Sequence, residues 1–112
     1  MASAGVGIGI LEVARMDRAL NRRPSLARRF FTDEEAEYVR DGEDTGVRFA
    51  KIWIRKEAYS KYTGKGLADF SNFSVNDGER FYGKVNGGPV KRLNVSFPGS
   101  NEYLFAVAGD NI

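Results

Sequence analysis

At the start of the chain Val6, Ile8, Ile10 and Leu11 are interleaved with Gly5, Gly7 and Gly9. This predicts a buried first strand bending into a helix near Glu12, with the glycines serving close backbone approach. Arg15, Arg18 and Arg22 fall three or four apart and line one side of that helix. It must stop by Pro24, because proline pushes the residue before it out of helical geometry. Ser25 reads as the cap of a short helix through Phe30, and Thr32-Asp33-Glu34-Glu35 has the form of a capping box ahead of Ala36 to Arg40. After a loop over residues 41–46, the apolar spacing is helical over 47–62, and Gly64-Lys65-Gly66 ends that helix. Residues 70–75, 80–85, 93–97 and 103–108 read as strands, separated by turn-rich segments such as Asn76-Asp77-Gly78 and Asn86-Gly87-Gly88-Pro89. One strand, then helices, then a meander predicts an α+β domain, taken as a single unit over 1–112.

Composition narrows the chemistry. With 112 residues, 42% hydrophobic and 29% charged, the chain can build one core and is too short for two ordinary domains. It has no cysteine and no histidine, which removes disulfides, thiolate nucleophiles, the commonest general base and the usual zinc ligands. Any reaction must run on carboxylates, lysines, backbone amides or a hard metal. No apolar run approaches the roughly 20 residues that span a bilayer, and nothing at the N-terminus has signal-peptide form, so a cytoplasmic location is expected. The sequons at Asn72-Phe73-Ser74 and Asn94-Val95-Ser96 carry little weight on that expectation.

The balance of 17 basic to 15 acidic residues identifies no partner, but its distribution is uneven. Arg15, Arg18, Arg22, Arg23, Arg28 and Arg29 face the single acid Asp17, while residues 33–44 are strongly acidic. The two patches are either solvated faces or a means of steering an anionic partner.

In the helix expected over 47–62, Val47, Ala50, Ile54 and Ala58 share one arc at about 100° per residue, with Glu57 and Lys61 inside it or at its edge. Four apart with the acid first, Glu57 and Lys61 suit an intrahelical ion pair. The alternative is a cleft holding a metal or a phosphate, because burying both charges is costly without partners.

The run Phe49-Ala50-Lys51-Ile52-Trp53-Ile54-Arg55-Lys56-Glu57-Ala58-Tyr59-Ser60-Lys61, followed by Thr63-Gly64-Lys65-Gly66-Leu67, resembles the signature of phosphopantetheinyl transferases. Gly5-Val6-Gly7-Ile8-Gly9-Ile10-Leu11-Glu12-Val13-Ala14-Arg15-Met16 resembles the opening of the holo-acyl-carrier-protein synthases. Arg28-Arg29-Phe30-Phe31-Thr32-Asp33-Glu34-Glu35 resembles the segment that follows it. The resemblance implies that family's fold, an antiparallel sheet packed against a long helix. It implies magnesium-dependent transfer of 4'-phosphopantetheine from coenzyme A to a serine of an acyl or peptidyl carrier protein, as in fatty acid or polyketide biosynthesis. By the same resemblance Glu57 helps hold magnesium and, with Lys61, is catalytic. Lys56 and Lys61 meet phosphates, and Gly64, Lys65 and Gly66 let backbone approach the ligand. Arg15, Arg18 and Arg22, with Phe30 as an apolar contact, would dock the carrier protein. A single unit of this kind implies a homotrimer with Glu57 and Lys61 near the subunit boundary.

The chain departs from the family at two places. Gly9 stands where the family has a magnesium-binding aspartate, with Glu12 three residues on as a substitute that would face the other way along a strand. Asn94-Val95-Ser96-Phe97-Pro98-Gly99 stands where the synthases often have a Ser-His pair. An aspartate at position 9 is expected to strengthen metal dependence if strand and helix converge there. Two other readings are carried alongside: a family member that binds coenzyme A without transferring, and a basic nucleic-acid-binding module, for which no recognised motif is present.

Overall fold

The computed structural model describes residues 6–75, 83–85, 88–96 and 102–109. The elements run β1 (Val6–Glu12), α1 (Val13–Arg22), α2 (Leu26–Phe30), α3 (Asp33–Arg40), α4 (Thr45–Thr63), a 3₁₀ helix (Leu67–Asn72), β2 (Gly83–Val85), β3 (Gly88–Ser96) and β4 (Glu102–Gly109). The strands form one sheet in the order β1-β4-β3-β2, antiparallel at every pairing, and α4 lies across β1 and β4. The α+β expectation, an antiparallel sheet against a long helix, describes this architecture.

The register of β1 against β4 explains how α4 fits so closely. Gly7 is opposite Ala108, Gly9 opposite Ala106 and Leu11 opposite Leu104, so the face toward α4 is built mainly from small residues. All three β4 partners are fully buried. A Cβ at Gly7 would lie 1.9 Å from the Ala58 carbonyl oxygen and 2.4 Å from the Tyr62 nitrogen, both backbone atoms that cannot swing aside. Gly7→Ala must therefore push strand and helix apart. The expected loss is about 1–3 kcal/mol or more, read as a lower urea midpoint at unchanged m.

Alternation along β1 runs opposite to its apparent hydrophobic logic. The glycines face the core, while Ile8 and Ile10 turn outward and are 54% and 53% exposed. The strand expected to be buried is so on its glycine side only, where backbone approaches α4 closely as expected. Phe105 and Val107, opposite Ile10 and Ile8 on β4, continue this apolar outer face.

Helix α4 is enclosed on more than one side, by the sheet and by α1, α3 and the 3₁₀ helix. Phe49, Ala50, Ile52, Ile54, Ala58 and Tyr59 are buried, and so are Arg55 and Lys56. The Lys56 ammonium pairs with Glu35 at 2.7 Å, donates to the Phe73 carbonyl and sits 4.2 Å from the Phe73 ring centroid. Glu35 also closes the expected capping box: its side chain accepts from the Thr32 nitrogen at 2.9 Å, while Thr32 Oγ1 accepts from the Glu35 nitrogen. Its second oxygen accepts from the Val75 nitrogen at 2.6 Å. One carboxylate thus ties together α3, α4 and the segment after the 3₁₀ helix.

Other expectations shift at the element ends. Helix α4 starts at Thr45, inside the stretch read as a loop, and ends at Gly64, whose φ of 78° is left-handed. Ser25 precedes α2, but its side chain makes no cap bond. Residues 67–72 form a 3₁₀ helix where a strand was expected over 70–75. Phe70 and Phe73, three apart, are both buried, which matches the 3₁₀ period, and Asn72 holds Asp69 at 3.0 Å. Pro89 belongs to β3, opposite Lys84, and not to a turn. The turns expected at 76–78 and 86–87, and residues 80–82 and 97–99, lie outside the described residues.

Candidate functional site

Position 57 on α4 stands between two clefts. The larger, about 570 Å³, is lined by Ile10, Leu11, Glu12, Arg15, Trp53, Glu57 and Tyr103 among others. The smaller, about 300 Å³, is lined by Trp53, Glu57, Ser60, Lys61, Gly66, Leu67 and Phe70. Trp53, Glu57 and Lys61 follow at intervals of four and so share one helix face, with Trp53 and Glu57 forming the wall common to both clefts.

Glu57 is half-buried and, among the described residues, makes no hydrogen bond or ion pair. The intrahelical pair with Lys61 is not formed. Lys61 Nζ instead donates to the Ile8 carbonyl of β1 at 3.0 Å, leaving two donors on an exposed ammonium. A carboxylate flanked by Arg15 in one cleft and Lys61 in the other can take a proton from a hydroxyl, while the cations face an anionic group.

Gly9 and Glu57 do converge. A Cβ at Gly9 would lie 3.2 Å from Glu57 Oε1. It would also lie 2.7 Å from Ile54 Cδ1 and 3.1 Å from the Ile54 carbonyl oxygen. Ile54 is fully buried, so its terminal methyl fills the space an acidic side chain on β1 would need. Glu12 reaches the larger cleft from the end of the strand, and its carboxylate lies 3.7 Å from the Arg18 guanidinium. Among the described residues, no group of three or more acidic side chains could hold a metal ion.

The other predicted site residues divide by location. Gly66 lines the smaller cleft; Gly64 and Lys65 are exposed beside it at the end of α4. Lys56, expected to meet a phosphate, is turned into the core and lines neither cleft; its ammonium is already committed to Glu35 and the Phe73 carbonyl. Burial pushes its pKa down and that of Glu35 up, each opposed by the charge of the other. Arg15, Arg18 and Arg22 are exposed along α1. Phe30 is half-buried, its ring edge-on to Trp53 at 5.6 Å and 5.2 Å from the Arg29 guanidinium.

Reasoning from the sequence missed Trp53 and Tyr103 as cleft walls. Trp53 could have been found from its spacing of four before Glu57. Tyr103 comes opposite Glu12 only through the register of β1 and β4.

The family model of the 4'-phosphopantetheinyl transferase superfamily matches residues 5–108. A holo-[acyl-carrier-protein] synthase of Caldanaerobacter subterraneus is 29% identical over 115 residues, covering 92% of this chain and 91% of its own. That of Idiomarina loihiensis is 38% identical over 87 residues, covering 75% of this chain and 68% of its own. Two solved structures share the fold. The holo-(acyl-carrier-protein) synthase of Bacillus anthracis in complex with CoA (3',5'-ADP) has a TM-score of 0.68 at 24% identity, over 94% of this chain and 93% of that one. The synthase of Neisseria meningitidis has a TM-score of 0.68 at 20% identity, over 96% and 98%. A match running from β1 through β4, on a fold these enzymes share, places the chain in the 4'-phosphopantetheinyl transferase superfamily, as a transferase of the holo-acyl-carrier-protein synthase type.

Proposed function

We propose that this chain transfers 4'-phosphopantetheine from coenzyme A to a serine of an acyl or peptidyl carrier protein. The observation that carries the reading is Glu57: a half-buried carboxylate without a partner among the described residues, set between two clefts with Arg15 in one and Lys61 in the other. Glu57 takes the proton of the carrier serine as its oxygen attacks the β-phosphorus of coenzyme A. The phosphoanhydride bond breaks and 3',5'-adenosine bisphosphate leaves with the electron pair. Arg15, Lys61 and Lys65 face the phosphates, and Gly64 and Gly66 admit them close to backbone. The magnesium expected from the family supplies, where it is bound, charge at the diphosphate. The residues here do not fit it, since β1 offers Gly9 and an Ile54 methyl beside Glu57, so no step is routed through it.

The deciding experiment is mass spectrometry of apo carrier proteins incubated with coenzyme A and this protein. A gain of one phosphopantetheine mass supports transfer. No gain, in a panel that a proven transferase modifies, together with retained coenzyme A binding, selects the second reading, a family member that binds without transferring. Gly9 is the observation favouring that one.

Arg18 and Arg22 of α1 serve the carrier protein by charge complementarity. Arg18→Glu with Arg22→Glu is expected to raise KM for the carrier about tenfold, with most of the loss in KM and a weaker salt dependence. The open apolar face of Ile8, Ile10, Phe105 and Val107 supports a homotrimer, which covers it. Ile10→Lys is then expected to release monomers in light scattering, and a wild-type protein already monomeric at working concentration removes the trimer. A cytoplasmic location accompanies this substrate pair.

A further inference from the structure

We infer that the crossing of β1 and α4 at Gly9 and Glu57 holds no divalent cation of its own, because Ile54 has taken the place of a second metal ligand on β1. The inference rests on the coenzyme A reading only for what the cleft binds; the metal claim stands on geometry alone.

A protein-held magnesium needs oxygen ligands in near-octahedral order, typically one or two carboxylates with water and phosphate. In this fold β1 passes α4 at Gly9, and a side chain starting there would begin 3.2 Å from Glu57 Oε1. That is the place from which a second carboxylate could share an ion with Glu57. It is occupied: Ile54 Cδ1 lies 2.7 Å and the Ile54 carbonyl oxygen 3.1 Å from the Cβ position, so a side chain at position 9 requires the buried Ile54 side chain to shift. A methyl group cannot coordinate a cation. Glycine at position 9 and isoleucine at position 54 are therefore complementary, the bulk absent from the strand being supplied by the helix. Neutralisation of a bound diphosphate then falls to side-chain cations, Arg15 in the larger cleft and Lys61 in the smaller, on either side of Glu57.

Ile54→Val removes the obstructing Cδ1 methyl and little else. The test measures Mn²⁺ binding by electron paramagnetic resonance, without coenzyme A, for wild type, Gly9→Asp, Ile54→Val and the double variant Gly9→Asp/Ile54→Val. Circular dichroism verifies folding, and Gly9→Asp/Ile54→Ala serves as the roomier alternative. The double variant is expected to bind Mn²⁺ at least about tenfold more tightly than wild type, with either single change giving little. Wild type binding Mn²⁺ as tightly as the double variant, or Gly9→Asp alone gaining the full effect, overturns the inference. In parallel, calorimetry of wild type with coenzyme A in EDTA and in magnesium is expected to give the same affinity. Magnesium-dependent binding by wild type also overturns it, whereas no binding in either buffer overturns the coenzyme A reading and leaves the Mn²⁺ result to decide the role of Ile54.

Discussion

Lys56→Met is expected to lower the unfolding free energy by about 3–5 kcal/mol, measured by urea denaturation, because it leaves the Glu35 carboxylate charged and buried without its ammonium. Glu35 is 2% exposed, Lys56 0%, and the ammonium lies among the rings of Phe31, Phe70 and Phe73. Glu35→Gln placed on top of Lys56→Met is expected to recover much of the loss. The amide keeps an acceptor oxygen for the Thr32 or Val75 nitrogen while removing the orphaned charge. A double variant no more stable than the single one would show that the lysine matters through packing and not through charge.

The same pair gives a signed pH dependence. Burial raises the Glu35 carboxyl above its usual range even with Lys56 present, and the Lys56 charge and hydrogen bond are the leading influences that pull it back. Removing the lysine raises it further. A carboxyl with a raised folded pKa favours folding below its unfolded pKa, and that advantage is lost as pH rises through the folded value. The Lys56→Met deficit relative to wild type is therefore expected to be full at neutral pH and to shrink as pH falls toward the ordinary carboxylate range. A deficit constant across that window would separate the stability loss from the ionisation of Glu35.

These residues also mark how far the sequence could be read. The capping box and the helical arc of Ala50, Ile54 and Ala58 were legible because short-range hydrogen bonds and a 3.6-residue period leave a local pattern. The second and third partners of Glu35 were not, because Lys56 and Val75 reach it from 21 and 40 residues away. Lys56 was read as a phosphate ligand from the family resemblance, and helical periodicity could not correct that, because it cannot tell a lysine facing a cleft from one facing a second buried side, and α4 has both. At β1 the alternation and the glycines' close approach were legible, but which side the isoleucines take was not. Isoleucine is normally the inward residue, and only the closeness of the Ala58 and Tyr62 backbone, which leaves no room for a Cβ at position 7, explains why glycine takes that side. Glu57 and Lys61 share a helix face through their spacing of four, but that Lys61 bonds the Ile8 carbonyl and not Glu57 depended on β1 lying beside them.

Glu57→Gln is expected to lower the rate of carrier-protein modification by about 10²–10⁴-fold, the range associated with loss of a positioned general base. Stability is expected to change by less than about 0.5 kcal/mol, because Glu57 makes no hydrogen bond or ion pair among the described residues. This contrast sets it apart from its neighbour in sequence, Lys56, whose removal costs stability first. Glutamine keeps the size and the acceptor oxygen, so the cleft walls of Trp53 and Tyr103 retain their shape while the basic group is lost. Coenzyme A affinity is expected to stay level or rise slightly, since a carboxylate beside a diphosphate repels it. The loss should then fall in kcat, measured by mass spectrometry of the carrier under saturating coenzyme A. Full turnover by Glu57→Gln would remove proton transfer from position 57 and point to Glu12, the other carboxylate lining the larger cleft, as the base to test next.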